Sequence, residues 1–138
     1  MLKTKPAKEV TVRMQNEIGA LDEIARTIAG KGINILAVCA WVEGAQAVIR
    51  LVTDDSVRVM DALRARKYDA READVLVTET PHKPGMLRRI TEKLAQGNID
   101  IHHLYATATV AQDQCLVVFG TANNDRAMVL LNALTGTA

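Results

Sequence analysis

Asn16-Glu17-Ile18-Gly19-Ala20-Leu21, continuing through Ile24, Ile28 and Ala29 to Ile33-Asn34-Ile35, recurs 66 residues later as His82-Lys83-Pro84-Gly85-Met86-Leu87, Ile90, Leu94, Ala95 and Ile99-Asp100-Ile101. The register holds without a gap. Downstream, Gln46 to Thr53 aligns with Gln114 to Thr121 at an offset of 68, and Leu63 with Leu134 at 71. The drift accumulates where turns are expected, the places at which insertions are tolerated. A chain of 138 residues is therefore read as two copies of one unit of about 70 residues rather than as one irregular domain.

Within each copy the hydrophobic period changes in a fixed order. Glu9 to Gln15 alternates, with Val10, Val12 and Met14 on one face, as a strand does. Leu21, Ile24, Ala25 and Ile28 follow helical spacing, closed by Lys31-Gly32. Ile33 to Val42 is β-branched and apolar, Glu43-Gly44 signals a hairpin, and Ala45 to Val52 returns as a strand. Ser56 is the expected cap of a second helix carrying Val57, Met60 and Leu63, and a last strand is expected near Tyr68 to Arg71. The order is βαββαβ, the ferredoxin-like unit. The fold class is thus α+β, with lobes at 1–72 and 73–138.

The second copy opens at Val75 to Thr80, with a helix at Met86 to Gln96, strands near Ile99 to Val110 and Gln114 to Gly120, and a helix at Asp125 to Leu134. Only Thr135-Gly136-Thr137-Ala138 remains, too little for a turn and a fourth strand. The edge of Val75 to Thr80 should then be covered by another segment or another chain, since proteins rarely leave a bare edge. A lobe of this size buries only about 60% of its unfolded surface, so the two lobes are expected to pack together.

Composition removes several function classes. Seventeen Lys and Arg against 16 acidic residues leave a net charge of +1, without the surplus that drives phosphate-backbone binding. Four aromatic residues (Trp41, Tyr68, Tyr105, Phe119) are too few for base-stacking platforms, so no nucleic-acid partner is expected. The longest apolar run, Ile35 to Val42, is far short of the ~20 residues that span a bilayer. Nothing at the N-terminus reads as a signal peptide, and the expected compartment is the cytoplasm. Cys39 and Cys115 sit far apart in apolar segments as expected buried thiols, with no disulfide or metal spacing. Adjacent strand residues such as His102 and His103 point to opposite faces and cannot easily share one ion. No phosphate loop, nucleophile elbow or zinc-protease motif occurs, and Asp22-Glu23 and Asp54-Asp55 are accounted for by helix dipoles. No enzyme activity, metal or cofactor is expected.

The repeated turn is the candidate site. Gly19 and Gly85 stand between a strand and a helix, where a missing Cβ permits a tight turn and close approach of a ligand. Unpaired N–H groups at the helix start, with the positive end of its dipole, suit a carboxylate. The same glycines also suit a turn that binds nothing, and Asn16 suits a local cap. The pattern Asn-x-x-Gly-x-Leu, a three-turn helix and Gly-Ile-Asn-Ile resembles the ACT domain, a ferredoxin-like regulatory module that binds amino acids. The resemblance spans nearly the whole chain, with His82 in place of the usual Asn or Asp. It implies a noncatalytic tandem protein that takes a small amino acid or related carboxylate where the loop of one domain meets the second strand of a neighbour. Carried over, it points to Asn16, Glu17, Ile18, Gly19, Ala20 and Leu21 with Asn34 and Ile35. In the second copy it points to His82, Lys83, Pro84, Gly85, Met86 and Leu87 with Asp100 and Ile101.

The copies differ in charge at this turn. Glu17 becomes Lys83, Asp22 becomes Arg88 and Glu23 becomes Arg89, so the second loop, Arg88 included, is the better anion receptor. In the second strand, Ile35, Ala37, Cys39 and Trp41 alternate with Leu36, Val38, Ala40 and Val42, which makes both faces apolar. Since one face takes the helices, the other should be covered by the second lobe or a second subunit, and a homodimer or larger oligomer is expected. An oligomeric interaction protein with no ligand is the alternative.

Overall fold

The computed structural model describes residues 2–109 and 113–134. In chain order the elements are β1 (Lys3–Gln15), α1 (Ala20–Ala29), β2 (Ile35–Glu43), β3 (Gln46–Thr53), α2 (Ser56–Ala65), β4 (Asp69–Pro81), α3 (Met86–Gln96), β5 (Ile101–Thr109), β6 (Gln114–Thr121) and α4 (Asn124–Asn132). The class is α+β. Val110 and the Thr135 to Ala138 tail lie outside the described residues. No helix among the described residues is long and apolar enough to cross a membrane.

The chain divides into two compact units, Lys8–Ala73 and Met1–Ala7 with Asp74–Ala138. In the Lys8–Ala73 unit the strands run β2-β3-β1-β4. Antiparallel pairing sets Val10 opposite Leu51 and Val12 opposite Ile49. Those side chains face Ile24 and Ile28 of α1 and Val59 and Leu63 of α2 in a single core. A register shift between Ile35 and Ala37 turns Ile35 toward this core, away from Ala37, Cys39 and Trp41 with which simple alternation groups it. On the face away from the helices, Ala37, Val48 and Val52 are buried within the single chain. Trp41 on that face stays exposed, and in this unit Ile18, Leu21, Leu36, Val38, Val42 and Val57 are exposed as well.

In the other unit the order is β1-β4-β6-β5. The fourth strand that its sequence lacks is Lys3–Ala7, the first part of β1, lying beside β4. Leu2 is buried in this unit's core with Leu76, Phe119, Ile90, Leu94 and Leu131. Thr4 Oγ1 is hydrogen-bonded to Thr78 Oγ1 (2.8 Å), and Leu2 N–H donates to Leu134 O (3.3 Å). Asn132 at the end of α4 clamps the strand, its Oδ1 accepting from Thr4 N–H (2.9 Å) and its Nδ2 donating to Thr4 O (3.0 Å). The sequence break expected near Glu72 to Asp74 is the interior of the continuous 13-residue strand β4.

Smaller differences follow from local chemistry. Asp55, not Ser56, caps α2, its carboxylate accepting from Arg58 N–H (3.1 Å), and Asn123 caps α4 in the same way through Arg126 N–H (3.1 Å). These caps align the helices at an offset of 68, which makes Leu131 the counterpart of Leu63; both are fully buried. Cys39 and Cys115 are free and half-buried rather than buried.

Candidate functional site

Both repeated loops adopt one backbone solution. After β1, Asn16 N–H donates to Ala45 O (2.9 Å), the chain turns at Gly19 with φ +92°, and Ala20 N–H folds back on Glu17 O (3.1 Å). After β4, His82 N–H donates to Asp113 O (2.9 Å), Gly85 has φ +88°, and Met86 N–H reaches Lys83 O (3.3 Å). The replacement of Asn16 by His82 leaves the turn unchanged because the shared bond is made by the main chain. Glu23 and Arg89 N–H groups close the first helical bonds onto Gly19 O and Gly85 O, both at 3.0 Å. That leaves Leu21 and Asp22 in α1, and Leu87 and Arg88 in α3, as the helix-start N–H groups without an intrahelical acceptor.

Beside the first turn lies a cleft of about 300 Å³. The strand-to-helix turn contributes Asn16, Glu17, Gly19, Ala20, Leu21 and Asp22, while the β2–β3 hairpin contributes Ala40, Trp41, Val42, Ala47 and Ile49. The polar wall and the helix start are thus on one side and an apolar wall on the other. The hairpin residues were not legible as site residues, since only the Val42–Ala47 and Ala40–Ile49 pairing brings them to the turn. Ile18, adjacent to this cleft in sequence, is fully exposed.

Asn34 and Ile35 are not part of this cleft. They stand at the opposite end of β2, about 23–26 Å from Val42 at roughly 3.3 Å per residue. There Asn34 N–H donates to Asp54 Oδ1 (3.1 Å), Asp54 N–H returns to Asn34 O (3.1 Å), and Ile35 packs on the core. Asp100 and Ile101 occupy the matching place in the other unit, with Asp100 O accepting from Ala122 N–H (3.0 Å) and Ile101 against the core. Met86 is itself buried in that core, whereas Leu87 is exposed.

The charges around the two turns are differently engaged. Asp22 pairs with Arg26 (2.6 Å), and Glu23 accepts from the Tyr68 hydroxyl (3.1 Å). Burial, reinforced by Glu23, holds the Tyr68 phenol above its usual range. In the second unit Arg88 lies 3.8 Å from Glu92 and stays largely exposed. His102 leans toward Asp100 (3.7 Å), while the His103 ring lies over Gly120, where an added Cβ would come within 2.7 Å. Among the described residues no group of three or more His, Cys, Asp and Glu is placed to hold a metal ion. Burial raises the Cys115 thiol pKa.

No family model and no curated protein matches the sequence. Solved structures do. Protein BT0572 from Bacteroides thetaiotaomicron superposes with a TM-score of 0.86 at 23% identity, over 94% of this chain and 88% of that one. The ligand-free regulatory subunit of aspartate kinase from Thermus thermophilus gives 0.68 at 11% identity, over 95% and 94%. The regulatory subunit of aspartate kinase from Thermus flavus gives 0.64 at 14%, over 96% and 94%. At such identities the likeness is one of fold, and the fold of this chain is the one found in aspartate kinase regulatory subunits.

Proposed function

We propose that the chain is a noncatalytic cytoplasmic regulatory protein that binds a small amino acid through its strand-to-helix turns. The observation that carries this reading is the cleft beside Gly19, which joins free helix-start N–H groups, two carboxylates and an apolar wall. A bound amino acid would place its carboxylate on the Leu21 and Asp22 N–H groups, its ammonium toward Glu17 or Asp22, and its side chain over Ala40, Val42 and Ile49. A volume of about 300 Å³ is at the small end of ligand clefts and suits such a molecule. The shared fold with aspartate kinase regulatory subunits supports a regulatory rather than a chemical role.

The second strand enters from another copy. β2 has an outer position in its sheet, and from Ile35 to Val42 it carries no charge. Two β2 edges paired antiparallel about Cys39 would set Ile35 of one copy opposite Glu43 of the other. Asn34 and Ile35 would then reach the cleft that they do not reach within their own unit. A homodimer completes the site in this arrangement, and ligand binding stabilises it by differential affinity for the assembled state. The turn at Gly85, with Lys83, Arg88 and Arg89, takes anions without an ammonium group more readily than the turn at Gly19 does.

A thermal-shift screen of the twenty amino acids tests the reading, because a ligand at 100 times its dissociation constant stabilises by about 2.7 kcal/mol. At least one should raise the melting temperature, and Asp22→Lys/Glu17→Lys should abolish that rise. No response to any of them, together with a dimer in sedimentation, would favour the ligand-free interaction protein, for which the exposed Ile18, Leu21, Val38 and Val42 already provide a surface.

A further inference from the structure

We propose that the groove between α1 and α2 is a second binding site, for a compact anion carrying two or more negative charges, of the phosphate-ester or polycarboxylate type. The groove encloses about 580 Å³, within the roughly 300–1,000 Å³ of small-ligand clefts. Arg26, Lys31, Arg58 and Arg66 line it against one carboxylate, Asp61. A chain of net charge +1 does not collect four cations in one place as a by-product of composition.

Two of the four are already committed and two are free to receive a ligand. Arg26 is paired with Asp22, and Arg58 donates to Lys31 O (2.6 Å) while lying 3.9 Å from Asp55, so that it closes the C-terminus of α1. Lys31 and Arg66 make no ion pair among the described residues. The floor between them is Thr27 and Ala62, both buried, whose short side chains keep the groove open.

The second unit serves as an internal control. At the offsets established above, Arg26 corresponds to Glu92, Lys31 to Gly97, Ala62 to Leu130 and Arg66 to Leu134. Leu130 lies across Gly97, so close that a Cβ there would come within 2.6 Å of its Cδ1, and Leu134 packs against the core. Packing one helix pair on this sheet therefore requires neither the opening nor the cations. Arg126 stands at the position of Arg58 and Lys93 at that of Thr27, so the second unit keeps some positive charge there. The opening and the cations at positions 31 and 66 are features of the first unit, and concentrated like charges on facing helices are a cost that an anion relieves.

Titration of isotope-labelled full-length protein with inorganic pyrophosphate, and separately with citrate, at about 150 mM salt tests the site. Pyrophosphate should saturate at one equivalent with shifts confined to α1 and α2, and Lys31→Ala/Arg66→Ala should weaken it by on the order of tenfold. Lys93→Ala/Arg126→Ala in the second unit should leave it unchanged. Saturation by citrate as tight as by pyrophosphate would assign the ligand to polycarboxylates, and weaker citrate binding to phosphate esters. Absence of saturation by either anion, or equal loss in both double variants, overturns the proposal. Lys31→Gln alone supplies the comparison should the double variant fail to fold. Because these probes are not amino acids, the outcome is independent of the thermal-shift screen.

Discussion

Gly19 and Gly85 show what a single residue contributes to the turn. Their φ values of +92° and +88° lie in the region where an L side chain is strained, yet an added Cβ at either position meets nothing within 4 Å. The penalty of substitution is conformational rather than steric, about 1–2 kcal/mol for a non-glycine residue held there. Gly19→Ala and Gly85→Ala should each lower the urea midpoint accordingly, with the denaturant slope unchanged. A second residue-level expectation concerns the thiols. The Cys115 pKa is raised by burial, so its reaction with a thiol reagent should be displaced to higher pH than that of the unfolded chain. In linkage terms the native state keeps the proton longer. Stability from this group is therefore present below the ordinary thiol pKa and is lost as pH rises through it toward the folded value. Denaturation midpoints of wild type and Cys115→Ala between pH 7 and 10 should diverge in that direction.

At the scale of elements, the N-terminal strand is held by specific side-chain contacts as well as by its place beside β4. Asn132 satisfies both the N–H and the C=O of Thr4, a residue only 6% exposed. Asn132→Ala leaves those groups without that partner and should cost about 1–3 kcal/mol. The expected readout is faster amide exchange along Val75 to Thr80 in β4, with little change in the β2–β3 hairpin; unchanged exchange would mean that the clamp is not what holds the strand. Most elements were legible from the sequence because each carries its own period, 2 in Val10-x-Val12-x-Met14 and 3.6 in Ile24-x-x-x-Ile28. Ser56 and Asp55 illustrate the limit. Either can cap a helix, and only the backbone at 55, with φ −154° and its carboxylate on Arg58 N–H, selects the aspartate.

At the scale of the whole molecule, β1 and β4 each contribute to both units, passing from one to the other at Ala7/Lys8 and at Ala73/Asp74. The C-terminal unit begins and ends at neighbouring points, since Leu2 N–H meets Leu134 O. A rearranged chain that runs from Asp74 to Leu134 and continues through a short turn into residues 2–7 should fold by itself. Residues 74–134 alone should not, lacking Leu2 and the strand beside β4. Circular dichroism and exchange protection of the two chains check this, and equal folding of both would remove the N-terminal strand from the unit.

The internal similarity, the two glycine turns, the reversal of charge between them and the succession of helices and strands, apart from the two expected strands that merge into β4, were written in the sequence. These are local or periodic properties, written into residues near one another. Tertiary structure decided that Lys3–Ala7 completes the unit whose other strands lie some 70 residues onward. Such pairing depends on which edge is free in space and leaves no periodic trace. It likewise decided that Val42, Ala47 and Ile49 face the Gly19 turn while Asn34 does not, because strand register and the length of β2, not sequence proximity, set which side chains meet.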